Sequence, residues 1–149
     1  MARDFAKSAR DRLLLQTQKV HGNYQQILIR YFHERLIYRL AQSRYKSSFY
    51  LKGGSLLFAL DPIIARPTLD VDFLGINFPS KPELLYSMFA EICSQGCPED
   101  GIVFDISSIH VENNIQSKRK AIHPRIRSRR TQANALEEFS PKNQIHEVA

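Results

Sequence analysis

Along the first 43 residues apolar side chains recur every three or four positions, the spacing of helices that bury one face. Phe5, Ala6, Ala9, Leu13 and Val20 fall near one arc of a helix expected over 4–19. Gly22 is placed to stop that helix and Asn23 to cap the next, expected from Tyr24 to Ser43. The second arc holds Tyr24, Ile27, Leu28, Tyr31, Phe32 and Leu36, wide enough for a well-buried helix. Arg35 and Arg39 fall one turn apart inside it. A buried guanidinium needs a carboxylate or phosphate partner. The competing reading is a stem lying along the protein with its head in water.

The pattern then changes. Phe49-Tyr50-Leu51 reads as a strand, followed by Lys52 and Gly53-Gly54-Ser55. Leu56 to Leu60 looks like the first turns of a buried helix, ended by Asp61-Pro62. After a loop over 62–69, the run Leu69-Asp70-Val71-Asp72-Phe73-Leu74 alternates at period two, as a strand does. An amphipathic helix is expected from Glu83 to Ser94, with Leu84, Leu85, Met88, Phe89 and Ile92 in its stripe. A turn over 95–100 leads to a strand at Ile102–Ile106, extendable to Val111. Beyond Asn113 no period of either kind is sustained until Ala133–Phe139, and 114–149 reads as a poorly ordered tail.

Composition narrows the class. The chain has 149 residues, 43% hydrophobic and 24% charged, ordinary for one globular domain. No apolar run approaches the roughly 18 residues of a membrane span. Met1-Ala2-Arg3-Asp4 does not begin a signal peptide, and the cytoplasm is the expected location. Cys93 and Cys97 cannot make a disulfide scaffold and read as reduced structural thiols. The five histidines are scattered, and no serine–histidine arrangement accompanies them. Tyr31, Phe32, Tyr38 and Phe58 read as core material. Charge is uneven: residues 1–113 carry 13 basic and 12 acidic side chains, whereas 114–149 carry 8 and 3. The expected division is a domain over 1–113 and a basic tail over 114–149. Such a tail attracts phosphate backbones, or is simply solvated.

The chemistry concentrates between Lys52 and Asp72. Residues i and i+2 of a strand share a face, so Asp70 and Asp72 present two carboxylates side by side while Val71 and Phe73 enter a core. Adjacent carboxylates repel unless a proton or cation lies between them. Hard oxygen donors suit a divalent cation, and Mg²⁺ holding substrate phosphates is the usual case. Strand, Gly53-Gly54-Ser55, then helix brings backbone N–H groups and a helix N-terminus to one point, an anion site. Ser55 is placed to cap the helix and to donate its hydroxyl to a phosphate. Arg66 is a candidate for phosphate or RNA, or for a structural pair with Asp61 or Asp70. Lys52 is a candidate for phosphate, against the reading of a solvated strand-end lysine. Either short motif alone is weak; the combination, with strands at both ends, is much stronger.

Gly-Gly-Ser followed by Asp-x-Asp resembles the signature of the DNA polymerase β-like nucleotidyltransferases. The chain is most similar to the AbiEii/AbiGii nucleotidyltransferase toxins. The resemblance lies in Ser8–Leu14, Tyr31–Leu40, Phe49–Phe58 and Arg66–Gly75, and extends over about 8–112. It implies an α+β fold, a mixed β-sheet flanked by helices; the N-terminal helices and an irregular basic C-terminal tail are expected from the chain's own pattern. It implies Mg²⁺-dependent transfer of a nucleotide from a nucleoside triphosphate to an RNA, such as tRNA, in a bacterial toxin–antitoxin system. A cognate antitoxin is an implied partner, and a membrane is not. Carried over by position, Gly54 and Ser55 would hold the triphosphate, and Asp70 and Asp72 would be catalytic metal ligands; Lys52, Gly53 and Arg66 complete the expected nucleotide-binding set on the reading of the residues themselves.

Relatives by this resemblance are about one domain longer. They add a third carboxylate from a later strand, a lysine, and a helical motif rich in Lys/Arg and Asp. Asp105 is the local substitute for the third acid, though a surface role suits it better. The expectation is therefore a truncated member whose residues from about 114 onward are out of frame, with weak or no catalysis. Two rival readings are an inactive remnant and a nucleic-acid-binding module acting through its basic tail.

Overall fold

The computed structural model describes residues 4–61, 68, 70–79, 81–114, 119–128 and 142–147. Two long helices come first, α1 (Phe5–Val20) and α2 (Tyr24–Gln42). Asp4 caps α1 by accepting from the Lys7 N–H at 3.0 Å, and Asn23 caps α2 as its sequence position suggests. The left-handed residue that ends α1 is His21, with φ 48°, rather than the neighbouring Gly22. Strand β1 (Phe49–Lys52) runs straight into helix α3 (Gly53–Leu60). Strand β2 (Asp70–Gly75), helix α4 (Pro82–Ser94), a 3-10 turn (Pro98–Asp100) and a long strand β3 (Ile102–Asn114) follow.

Two more strands, β4 (Arg119–Ser128) and β5 (Lys142–Glu147), lie where the sequence pattern offers no element. In β4 the alternation of Ile122, Pro124 and Ile126 is masked by the basic residues between and before them. β5 is recruited from far along the chain. The sheet has the order β1-β2-β5-β4-β3. It is mixed: β2 and β5 are parallel, and the other neighbours are antiparallel. The fold is thus α+β, as the resemblance implies.

One face of the sheet is covered by α2 and α4. Phe32, Leu36 and Leu40 of α2, Leu85, Met88, Phe89 and Ile92 of α4, and Phe49, Val71, Phe73, Phe104 and Ile109 of the strands form a single buried cluster. Phe49 meets Phe89 edge-on at 5.3 Å and Phe73 at 6.2 Å, favourable aromatic geometry. Arg39 is also inside, 2% exposed, and forms a two-pronged ion pair with the equally buried Asp100 at 2.7 and 3.2 Å. The partner demanded by a buried guanidinium is therefore present. Arg35 is only half-buried, and Tyr38 is exposed with that arginine stacked over its ring at 4.5 Å, so Tyr38 is not core.

The burial expected for Leu56–Leu60 does not occur: no residue of α3 is buried, and Leu57 and Leu60 are 61% and 73% exposed. The helix sits at the β1 edge and packs mainly on β1 and β2. Phe58 lies under the Arg30 guanidinium at 4.2 Å, half-buried.

Candidate active site

β1 and β2 pair so that Lys52 stands opposite Asp72 and Leu51 opposite Phe73. Burial in β2 alternates strictly: Val71, Phe73 and Gly75 enter the core, while Asp70, Asp72 and Leu74 are partly exposed on the other face. Period-two geometry thus puts both acids on the sheet face away from α2 and α4. The sheet's hydrophobic requirement fixes this arrangement, because a one-residue slip would bury the acids and expose Phe73.

The glycine turn meets that face directly. Gly53 has φ +66°, a backbone state that side-chain-bearing residues rarely adopt, and a Cβ there would overlap Asp72 Oδ2. The Asp72 carboxylate therefore lies against the first residue of α3. At Gly54 a Cβ would come within 3.1 Å of Thr68 Cβ, so the second glycine allows the turn to close over the approach to β2. The first peptide N–H groups of α3 have no partners within the helix, and its positive end points toward the same spot.

Ser55 does not cap the helix. It is the third residue of α3 rather than its cap, and the cap position, Lys52, makes no side-chain cap bond. The Ser55 hydroxyl donates to the Asp70 carbonyl at 3.0 Å. Thr68 donates to the same carbonyl at 3.0 Å and accepts from the Asp70 N–H at 3.3 Å. Two hydroxyls thus fix the backbone that carries the acid pair. Thr68 is the residue that spacing arguments passed over; its signal is a hydroxyl two positions before an acid, a local side-chain-to-backbone motif. No ion pair joins the Lys52 ammonium to a carboxylate among the described residues. Arg66 lies outside the described residues.

Asp105, the expected substitute for a third acid, is not brought to the pair. Asp105 is on β3, three strand positions from β2, about 14 Å away at the usual strand spacing. Its carboxylate accepts from the Ser107 N–H at 3.1 Å and the Ser107 hydroxyl at 2.6 Å, where β3 bulges. The strand beside β2 is β5, which sets Lys142 opposite Asp70 and Gln144 opposite Asp72. No group of three or more His, Cys, Asp or Glu placed to hold a metal occurs among the described residues.

A glycine turn that opens a helix against a strand bearing two aligned acids suits a phosphate group beside a divalent cation. The family can be given as well: residues 35–141 match the model described as nucleotidyl transferase AbiEii toxin, type IV toxin–antitoxin system, and the chain belongs to that family. The match runs on past Asn113, so the family pattern does not stop where the basic residues crowd together, against the out-of-frame reading. No curated protein matches the chain. Nucleotidyltransferases generally use a divalent metal, and the two aligned carboxylates of β2 are the hard oxygen donors such an ion takes. No described helix is long and apolar enough to cross a membrane.

Proposed function

We propose that the chain transfers a nucleotide from a nucleoside triphosphate to an RNA acceptor, of which a tRNA end is the first candidate, as the toxin of a toxin–antitoxin pair acting in the cytoplasm. The observation that carries this reading is the seating of the Asp72 carboxylate against Gly53, which joins an anion cradle to an acid pair. The N–H groups of Gly53, Gly54 and Ser55 hold the triphosphate, Lys52 neutralises part of its charge, and Arg66 extends the basic contact. Asp70 and Asp72 hold Mg²⁺. When bound, that ion supplies positive charge to the phosphates and favours an ionised acceptor hydroxyl. The acceptor oxygen attacks the α-phosphorus, a P–O bond to pyrophosphate breaks, and the hydroxyl proton passes to solvent. The chain's own part is to align the triphosphate and to keep two negative side chains facing it.

A second reading has its own support. Lys142 and Gln144, not an acid, stand across from Asp70 and Asp72, which favours a nucleotide-binding remnant with little turnover. A third, RNA binding by the basic segment after Asn113, rests on charge alone.

Labelled ATP, GTP, CTP and UTP offered with tRNA and Mg²⁺ separate the three. The enzyme labels tRNA from one of them, and Asp70→Asn or Asp72→Asn lowers the rate by at least about 100-fold. A remnant binds triphosphate through the same residues without transfer. A charge-driven binder retains RNA, loses it steeply with salt, and ignores both aspartate changes. Transfer that survives both changes contradicts the proposed chemistry.

A further inference from the structure

Away from the acid pair, α1, α2 and the turn at 98–101 line a hollow of about 390 Å³. Its polar lining includes Arg12, Gln16, Tyr31, Arg35, Cys97 and Glu99, and it shares no residue with the Gly53–Ser55 turn or with β2. Two acids at its rim are already matched, Asp100 by Arg39 and Glu34 by Arg30 at 2.9 Å. The two lining arginines are not: neither Arg12 nor Arg35 forms an ion pair with a carboxylate among the described residues. Arg12 uses its Nε on the Ser8 carbonyl at 3.2 Å, leaving its terminal nitrogens. Arg35 stacks over Tyr38, which orients the guanidinium plane and leaves its edge. Both act on Tyr31, whose phenol is raised chiefly by burial and then by Asp100, against the lowering pull of Arg35 and Arg12.

The walls of the hollow are fixed before anything enters. The Tyr31 hydroxyl donates to the Asp100 carbonyl at 2.8 Å. Arg39 also donates to the Ile102 and Gln95 carbonyls, and Asp100 Oδ1 accepts from the Ile102 N–H at 2.9 Å. Gly101, at φ +68°, lies so close to the Ala6 backbone that a Cβ would meet Ala6 Cα at 2.6 Å, which clamps α1 to the turn. A rigid site with two unmatched guanidiniums needs little ordering to take an anion. The volume suits a small organic molecule better than a bare inorganic ion. Glu99 is an acceptor for hydroxyl or amino donors elsewhere on the same molecule.

We propose that this hollow is a second ligand site that takes a nucleoside monophosphate unit, its phosphate held by Arg12 and Arg35 and its ribose or base donors met by Glu99. The unit comes either from a free nucleotide or from the 5′-phosphorylated end of an RNA strand. Cys97 reports occupancy, because it lines the hollow and is partly exposed. The full-length chain is alkylated with iodoacetamide, and the rate at Cys97 is followed by mass spectrometry. AMP, adenosine, inorganic phosphate or a short 5′-phosphorylated RNA is present in turn. AMP or the RNA is expected to slow alkylation saturably, adenosine to leave it unchanged, and phosphate to protect more weakly than the full ligand. Protection by AMP identifies a free nucleotide, and protection by the RNA alone identifies a strand end. Arg12→Gln and Arg35→Gln each weaken protection by about tenfold, the loss of a charge-assisted hydrogen bond, with Tm unchanged. Asp72→Asn leaves protection intact, which keeps this site separate from the proposed transfer chemistry. Absence of protection by both AMP and the RNA, protection untouched by the double arginine variant, or loss of protection with Asp72→Asn would each overturn the proposal.

Discussion

Helices α3 and α4 are both rich in large apolar residues, and they end up in opposite surroundings. α4 buries Leu85, Met88, Phe89, Ile92 and Cys93 against the sheet, whereas α3 buries nothing. The difference lies in pattern rather than in hydrophobicity. α4 has polar residues on its outer arc, so only one orientation removes its apolar side chains from water. α3 is Gly-Gly-Ser followed by five apolar residues, with no polar arc to orient it. Its position is set at its N-terminus, by the Gly53 contact with Asp72 and the Ser55 bond to the Asp70 carbonyl. α4 is held by its side chains; α3 is held by its first turn.

Substitutions should divide the two regions sharply. Asp100→Ala, on the core side, leaves Arg39 charged and buried without its partner, and a loss of about 3–5 kcal/mol is expected in urea unfolding. Phe89→Ala removes the ring that meets Phe49 and Phe73 and is expected to cost a similar 3–5 kcal/mol or so. Gly101→Ala forces a side chain into the α1 backbone at positive φ, with a loss of about 1–3 kcal/mol. On the α3 side, Leu57→Ser and Leu60→Ser should change stability by no more than about 0.5 kcal/mol. Equal losses for Leu60→Ser and Phe89→Ala would erase the distinction.

Thiol chemistry sharpens it further. Burial pushes the Cys93 thiol up to about 12, whereas the more accessible Cys97 is raised by burial and by Asp100. At pH 8 iodoacetamide should label Cys97 in the folded chain and Cys93 only after unfolding. The folded state keeps the Cys93 proton more tightly than the unfolded chain, whose thiol titrates near the ordinary 9.0. That stabilising contribution is complete below pH 9.0 and is lost as pH rises toward about 12, so the urea midpoint should fall across that window. A Cys93→Ala variant, compared over the same range, should lack that part of the decline.

Much of this organisation was legible in the sequence, and the exceptions share a cause. α1, α2, α4, β1 and β2 are written in local periodicity and in the Asn23 cap. The pairing of Asp70 with Asp72 on one face follows from strand geometry alone. What escaped depends on distant partners. The exposure of α3 follows from its place at the sheet edge. The Ser55 hydroxyl is drawn to a carbonyl 15 residues away, so the capping expectation failed. β5 enters beside β2 from beyond residue 140 and sets Lys142 and Gln144 across from the acids. The α1–α2 hollow joins residues as far apart as Ala9 and Asp100.

The most direct test concerns the join between Gly53 and Asp72. Mn²⁺, a spectroscopic substitute for Mg²⁺, is titrated into the full-length chain with a nucleoside triphosphate present, and free Mn²⁺ is read by electron paramagnetic resonance. The expected result is a protein-dependent loss of free signal, weakened at least about tenfold by Asp70→Asn, Asp72→Asn or Gly53→Ala. Mn²⁺ uptake of equal strength in all three variants would contradict a nucleotide–metal site at this turn.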